Sequence, residues 1–265
     1  MKLLRVGLIS SLLLAVVMSS RVEAFEFPKV KPDSDASSYL FLPNGPITFL
    51  KRGETTGGKY ALMETIVPPG GAAPPHIHHE EDEWLYVAEG NMQLVIGDSF
   101  YPDPNQIPGV NAPKDTLYAF DAPAGTLFYG RKNYIHGIRN IGTTTGKVLL
   151  VATPAGFEDL IAEVSVSVPD LTNLPLYDPQ TIYRFAAASV NYGLVGSASF
   201  EQFGDILVDH NFPFPDNHSD KLLALLADDV TRVPEPTLLG GILVFGATGA
   251  VCRCKRKSKL GDKVA

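Results

Sequence analysis

The chain has 265 residues, with 22 basic against 29 acidic side chains and a net charge of −7. The basic residues gather at the ends: residues 1–24 carry +2 and residues 252–265 carry +5, leaving −14 on the stretch between. So acidic a body repels phosphate backbones, which sets nucleic acid aside as a partner. With both cysteines at positions 252 and 254, that body has no disulfide to staple it.

In chain order, Met1-Lys2-Leu3-Leu4-Arg5, an apolar run over residues 6–18 and Val22-Glu23-Ala24 form the pattern of a secretory signal peptide, residues 1–24. Residues 25–39 are polar and proline-bearing and read as an arm, packed across the domain or across the second subunit of a homodimer. From Leu40 onward, short β-rich runs bounded by Gly, Pro and Asn read as strands, among them residues 60–67, 83–88, 92–96, 116–120, 125–129 and 147–152. Strands with inward apolar positions around one polar cluster imply a jelly-roll barrel over residues 40–155, an all-β fold. Residues 98–124 are less regular, because Pro102, Pro104, Pro108 and Pro113 block ladder hydrogen bonds. They read as a lid over the barrel mouth or as a solvated surface loop.

After Pro154 the apolar spacing becomes helical. Residues 157–164 suit a short helix, Asp178-Pro179 suits a helix start that runs on to Val190, and residues 221–226 suit a last turn or two. Residues 156–232 thus read as a short, helical and irregular extension outside the barrel, without chemistry. Residues 233–265 begin Val233-Pro234-Glu235-Pro236, continue with an uncharged apolar segment over 237–251, and end in the basic cluster Arg253, Lys255, Arg256 and Lys257. The apolar segment is short against the ~20 residues of a permanent span. The basic cluster should stay in the cytoplasm and leave the body outside.

The chemistry concentrates between Gly70 and Gly90. Residues two apart on a strand share a face, so His76 and His78 aim at one point, and Glu83 can reach that point from the next strand. His136 is the fourth candidate ligand. Three imidazoles and a carboxylate suit a divalent transition metal: Fe, Mn, Ni, Co, Cu or Zn. Metal loss should begin as pH falls toward ~6.5, since a ligating imidazole must be neutral. His79 is off parity and should face solvent or the rim, and His210 and His218 sit in a polar segment without a role. Tyr86, Met92, Phe120, Phe128 and Tyr134 are candidate pocket walls, each also readable as plain core.

The spacing Gly70-x5-His76-x-His78-x4-Glu83-x6-Gly90 resembles the first motif of the cupin superfamily. Gly125, His136 and Asn140 fall in register with the second motif. There Arg131 replaces a proline and Asn133 a glycine, a mild change because Asn tolerates the left-handed region. Gly45-Pro46-Ile47-Thr48-Phe49-Leu50, Thr56-Gly57-Gly58 and Thr153-Pro154-Ala155-Gly156-Phe157-Glu158 are similar to quercetinase-like single-cupin proteins. The tail resembles a PEP-CTERM sorting signal, which implies transient membrane anchoring and processing by an exosortase. These resemblances imply an exported, metal-dependent, dioxygenase-like oxidoreductase at the cell surface, in the periplasm or beyond. It would chelate a small phenolic or hydroxy-carbonyl substrate for reaction with O₂, with Glu83 as catalytic base. The alternative is a non-enzymatic module that binds a small molecule or sugar at the cell surface.

Overall fold

Apolar runs punctuated by glycine and proline pair into two sheets in the computed structural model, which describes residues 24–43, 45–208 and 214–231. The strands are β1 (Ser37–Leu42), β2 (Gly45–Lys51), β3 (Ala61–Val67), β4 (Ala72–His78), β5 (Asp82–Glu89), β6 (Asn91–Phe100) and β7 (Asp115–Pro123). They continue with β8 (Leu127–Gly130), β9 (Tyr134–Asn140), β10 (Gly146–Thr153), β11 (Val166–Ser167), β12 (Leu194–Gly196) and β13 (Gly204–Leu207). The helices are α1 (Gly53–Thr56), α2 (Phe157–Val164), α3 (Gln180–Ala188) and α4 (Ser219–Leu226). One sheet runs β11-β1-β2-β3-β10-β5-β8 and the other β12-β4-β9-β6-β7-β13, facing each other as a jelly-roll sandwich. Every ladder is antiparallel except that of β13 with β7.

Strand parity decides what enters the space between the sheets. On β5, Leu85 and Val87 point inward to meet Met92, Leu94 and Ile138, while Trp84 points outward. Glu83 shares the inward parity of Leu85. On β4, Ile77 packs on the outer face, so His76 and His78 point in; on β9, Ile135 packs outside and His136 points in with Ile138. Burying each such aliphatic side chain contributes roughly 1.5–3 kcal/mol, which makes a one-residue slip prohibitive.

The prolines of β4 set its register. The ladder with β9 shifts between Ala73 and His76, where Pro74 and Pro75 cannot donate, and resumes with His76 directly opposite His136. Gly137 permits this close approach, since a Cβ there would lie 3.0 Å from the Pro75 nitrogen and 3.1 Å from the Ala73 carbonyl. Asn133, just before β9, has φ 64°, the left-handed conformation expected of it.

The downstream extension differs from the sequence expectation. α2 and α3 form where helical spacing places them, but residues 156–232 also supply three short strands, with β11 on β1, β12 on β4 and β13 on β7. Strands of two to four residues are too short for periodicity to register. α2 buries Phe157, Leu160, Ile161 and Val164 with Ile47, Phe49 and Met63, so it completes the core rather than lying outside it. Glu158 fixes its start by accepting from the Gly156 and Gly53 amides at 2.8 and 2.9 Å.

Residues 98–124 are also more ordered than expected, because β6 extends to Phe100 and β7 begins at Asp115. The connecting residues 101–114 put Tyr101, Ile107 and Ala112 against Ile77, Val95 and Ile135 on the outer face of the six-stranded sheet. The opposite outer face is covered by Phe25, Phe27 and Val30 of the arm and by Leu222 and Leu226 of α4. Lys51 ties these chain ends together, its Nζ lying 2.9 Å from both Asp33 and Asp229. No helix of the described residues is long and apolar enough to cross a membrane. Residues 1–23 of the expected signal peptide, His210 and the expected sorting tail with its segment 237–251 lie outside the described residues.

Asn140, 3% exposed, closes the turn after β9. Its Nδ2 donates to the Val67 and Thr144 carbonyls at 2.8 and 2.9 Å, and its Oδ1 accepts from the Gly142 amide at 2.8 Å. Asn140→Ala strands these buried groups and should cost ~1–3 kcal/mol. The check is a lower urea midpoint at unchanged slope; an unmoved midpoint would contradict this role.

Candidate metal centre

His76, His78 and His136 come from one sheet and Glu83 from the other, so the cluster bridges the two layers. One ligand atom from each lies within 4.8 Å of the others. Ring centroids are 4.5 Å apart for His76 and His136, 5.0 Å for His76 and His78, and 5.5 Å for His78 and His136. His78, Glu83 and His136 are buried at 0%, 2% and 1% exposure, and His76 is half-buried. Glu83 pairs with Gly130 of β8, where a Cβ would stand 3.1 Å from three atoms of the His136 imidazole. Glycine at 130 thus leaves the ring its space.

Each imidazole has its Nδ1 occupied by the surrounding chain. His76 Nδ1 lies 2.8 Å from the Pro74 carbonyl, His78 Nδ1 lies 3.2 Å from Glu81 Oε2, and His136 Nδ1 lies 3.3 Å from the Tyr134 carbonyl. A neutral imidazole that donates from Nδ1 presents a bare lone pair on Nε2. His78 Nε2 is buried with no hydrogen-bond partner, an arrangement costly unless something accepts that lone pair. His136 Nε2 stands 3.1 Å from Glu83 Oε2, so its single proton has two acceptors, that carboxylate and the Tyr134 carbonyl. Three inward nitrogens and one carboxylate, with the outer nitrogens held, are the donor set of a divalent transition metal. The residues fit the ion.

Burial dominates the electrostatics. It holds the His76 imidazole down at about 3, helped by His136 and His78 and opposed by Glu83. Burial likewise holds His78 at about 4, against Glu83 and with His136 and His79. For Glu83, burial pushes upward, but the hydrogen bond from His136 and the nearby imidazoles win and hold it at about 2. Glu81 goes the other way: burial, Glu80 and Glu83 raise it to about 7.

Glu81 and Phe157 belong to this site although nothing in the sequence marked them as site residues. Glu81 sits in an unbroken acidic run, and Phe157, whose ring lies 5.0 Å from His78 at 80°, arrives from a helix far along the chain. Of the wall candidates, Phe128 sets its ring 6.4 Å from that of His136. Met92 is in the core, Tyr86 packs outside with Phe25 and Phe27, Phe120 meets Phe214, and Tyr134 meets Phe100 and Arg131. His79 does not simply face solvent; it is half-buried, with Nδ1 2.7 Å from Asn133 Oδ1. His218 packs on Tyr129 at 4.7 Å, away from the cluster residues.

These shifts fix a pH dependence. An imidazole whose folded value lies below its unfolded ~6.5 leaves the unfolded chain more protonated between the two, so stability falls as pH drops through that window. Glu83 acts in the same direction between its ordinary 4.5 and about 2. Glu81 opposes them between 4.5 and about 7, but two histidines outweigh one carboxyl. The metal-free protein should therefore lose melting temperature as pH falls from 6.5 to 4. Metal release should follow the same protons and set in nearer pH 4 than ~6.5. A melting temperature that is flat or rises as the pH is lowered over that range contradicts neutral, buried imidazoles.

The Cupin family model matches residues 52–173. No curated protein matches the chain. Among solved structures, the chain is similar to the Schizosaccharomyces pombe Cnp3 cupin domain at 13% identity, covering 44% of this chain and 66% of that one with TM-score 0.32. It is similar to recombinant oxalate oxidase in complex with glycolate at 25% identity, 43% and 53% coverage and TM-score 0.33. A predicted oxalate decarboxylase from Thermotoga maritima shares 17% identity, with 48% and 98% coverage and TM-score 0.35. The chain thus spans just under two thirds of the first of these and about half of the second. The matched segment contains both glycine-punctuated motifs and the whole His-His-Glu-His cluster, in a jelly roll of two sheets. Residues 52–173 are thus similar to the Cupin family and lie in a jelly roll of the cupin fold.

Proposed function

We propose that this cupin is an exported metal-dependent oxidoreductase of dioxygenase type, acting on a small phenolic or hydroxy-carbonyl compound. The observation that carries the proposal is the convergence of three imidazoles and one carboxylate within 4.8 Å, three of the four residues being buried and His76 half-buried. Three neutral donors and one anionic donor leave a divalent site a net positive charge, which suits an enolate or a deprotonated hydroxy-carbonyl. A bound transition metal would supply Lewis acidity and one-electron chemistry there.

The chain's own residues supply the rest. His76, His78 and His136 would hold the ion through Nε2, and Phe157 and Phe128 give the site apolar neighbours. Glu83 takes the substrate's hydroxyl proton on a carboxylate oxygen. It becomes basic enough only when the His136 proton moves to Nδ1 and the Tyr134 carbonyl, because the bond at 3.1 Å otherwise depresses its basicity. The same burial favours smaller substrates. It also supports a second reading, a module that keeps a small ligand unchanged at its metal.

The export part of the proposal stands on the basic, apolar and small-residue start and on the apolar and polybasic tail. It places the acidic body outside the cytoplasm, with the tail as a sorting signal.

With metal loaded, adding flavonols or small hydroxy-carbonyl compounds should cause O₂ uptake, and His76→Ala or His136→Ala should abolish both uptake and most of the bound metal. A variant that keeps full metal stoichiometry contradicts the ligand roles. Absence of uptake across the panel, with tight binding of an unchanged ligand, favours the binding module. Deleting residues 233–265 should move the protein from the membrane fraction to the soluble exported fraction; persistence in membranes contradicts the anchor.

A further inference from the structure

We propose that Glu81 is a positioning residue of the metal centre, its carboxylate fixing the tautomer of His78 and thereby aiming the Nε2 lone pair at the ion. The inference rests on the metal centre and not on the oxidoreductase reaction. Glu81 lies in the turn between β4 and β5, where a side chain would ordinarily turn to water as its neighbour Glu80 does. It is instead 4% exposed, with Oε2 3.2 Å from His78 Nδ1. When ionised, the carboxylate is only an acceptor, so the single proton of a neutral His78 then belongs on Nδ1 and Nε2 is left bare. That bare Nε2 is the buried, unpartnered nitrogen of the cluster.

The three histidines are not held alike. His76 and His136 face the Pro74 and Tyr134 carbonyls, acceptors that the backbone provides whatever the side chains are. Of the three Nδ1 partners, only that of His78 is a side chain, which a substitution can remove without touching the ladder. A carboxylate is also a stronger acceptor than a carbonyl and makes the ring a better donor to the ion. Phe157 packs against the same ring at 80°, so the imidazole plane is set by a hydrogen bond on its rim and an aromatic ring beside it.

The test uses the full chain, with Co²⁺ titrated against a competing chelator and the imidazole tautomers read by long-range ¹H–¹⁵N correlation on the metal-free protein. Glu81→Ala should weaken Co²⁺ binding roughly 10–100-fold. It should also release His78 from its single Nδ1–H form while His76 keeps its own. Glu81→Gln, whose amide oxygen still accepts, should preserve the Nδ1–H form and recover part of the affinity. Glu81→Met, of similar length but unable to accept, carries the alanine expectation should that variant not fold. A purely structural Glu81 would lower the melting temperature without moving the tautomer. The proposal is overturned by an Nε2–H form of His78 in the wild type, by a tautomer unchanged in the alanine or methionine variant, or by wild-type Co²⁺ affinity in those variants. A wild type that binds no Co²⁺ sinks the metal centre itself, whereas binding that is blind to position 81 sinks only the role of Glu81.

Discussion

His78 and His136 are buried and His76 is half-buried beside them, and there a charged imidazole costs far more than a neutral one. Each neutral ring has one proton to place. The Pro74 carbonyl, the Glu81 carboxylate and the Tyr134 carbonyl stand where those protons can go, on the outer edge of the cluster. Lone pairs are thereby left facing one another and Glu83, an arrangement that a cation relieves, as a proton on His136 Nε2 does for Glu83 alone. The chemistry of the site follows from this placement of protons rather than from any single reactive group.

Backbone geometry makes the placement possible. Two sheets bring histidines from β4 and β9 opposite a glutamate from β5, and the inward parity of all four positions is held by the aliphatic residues that alternate with them. The shift at Pro74 and Pro75 sets His76 opposite His136, and it also leaves the Pro74 carbonyl beside the His76 ring. The glycines at 130 and 137 are the reciprocal feature: one leaves room for the His136 ring, the other for the displaced β4 backbone. A methyl group at either would push on the site from a residue that touches no metal.

The chain outside the motifs is also structural. The arm and α4 cover one sheet, residues 101–114 with Phe203 cover the other, and α2 fills the core beside His78. Lys51, between Asp33 and Asp229, joins the first described residues to the last. Because both outer faces are covered, most strands bury residues on both sides. Their sequence alternation is blurred accordingly.

Strand positions, the glycine punctuation and the four residues of the cluster could be read from the chain, because two-residue parity and short-range spacing are local properties of an extended backbone. The left-handed Asn133 and the helix at residues 157–164 were open to the same reading for the same reason. Glu81, Phe157, the half-buried His79 and the strands β11, β12 and β13 were not. Glu81 is one carboxylate among several until folding buries it against His78, and Phe157 meets that ring only when residues far apart in sequence close the core. Side-chain identity thus determined which atoms could bind a metal. Tertiary packing alone decided which are dry, which nitrogen of each ring holds the proton, and what stands behind it, because desolvation and hydrogen-bond geometry belong to the assembled interior and not to the chain.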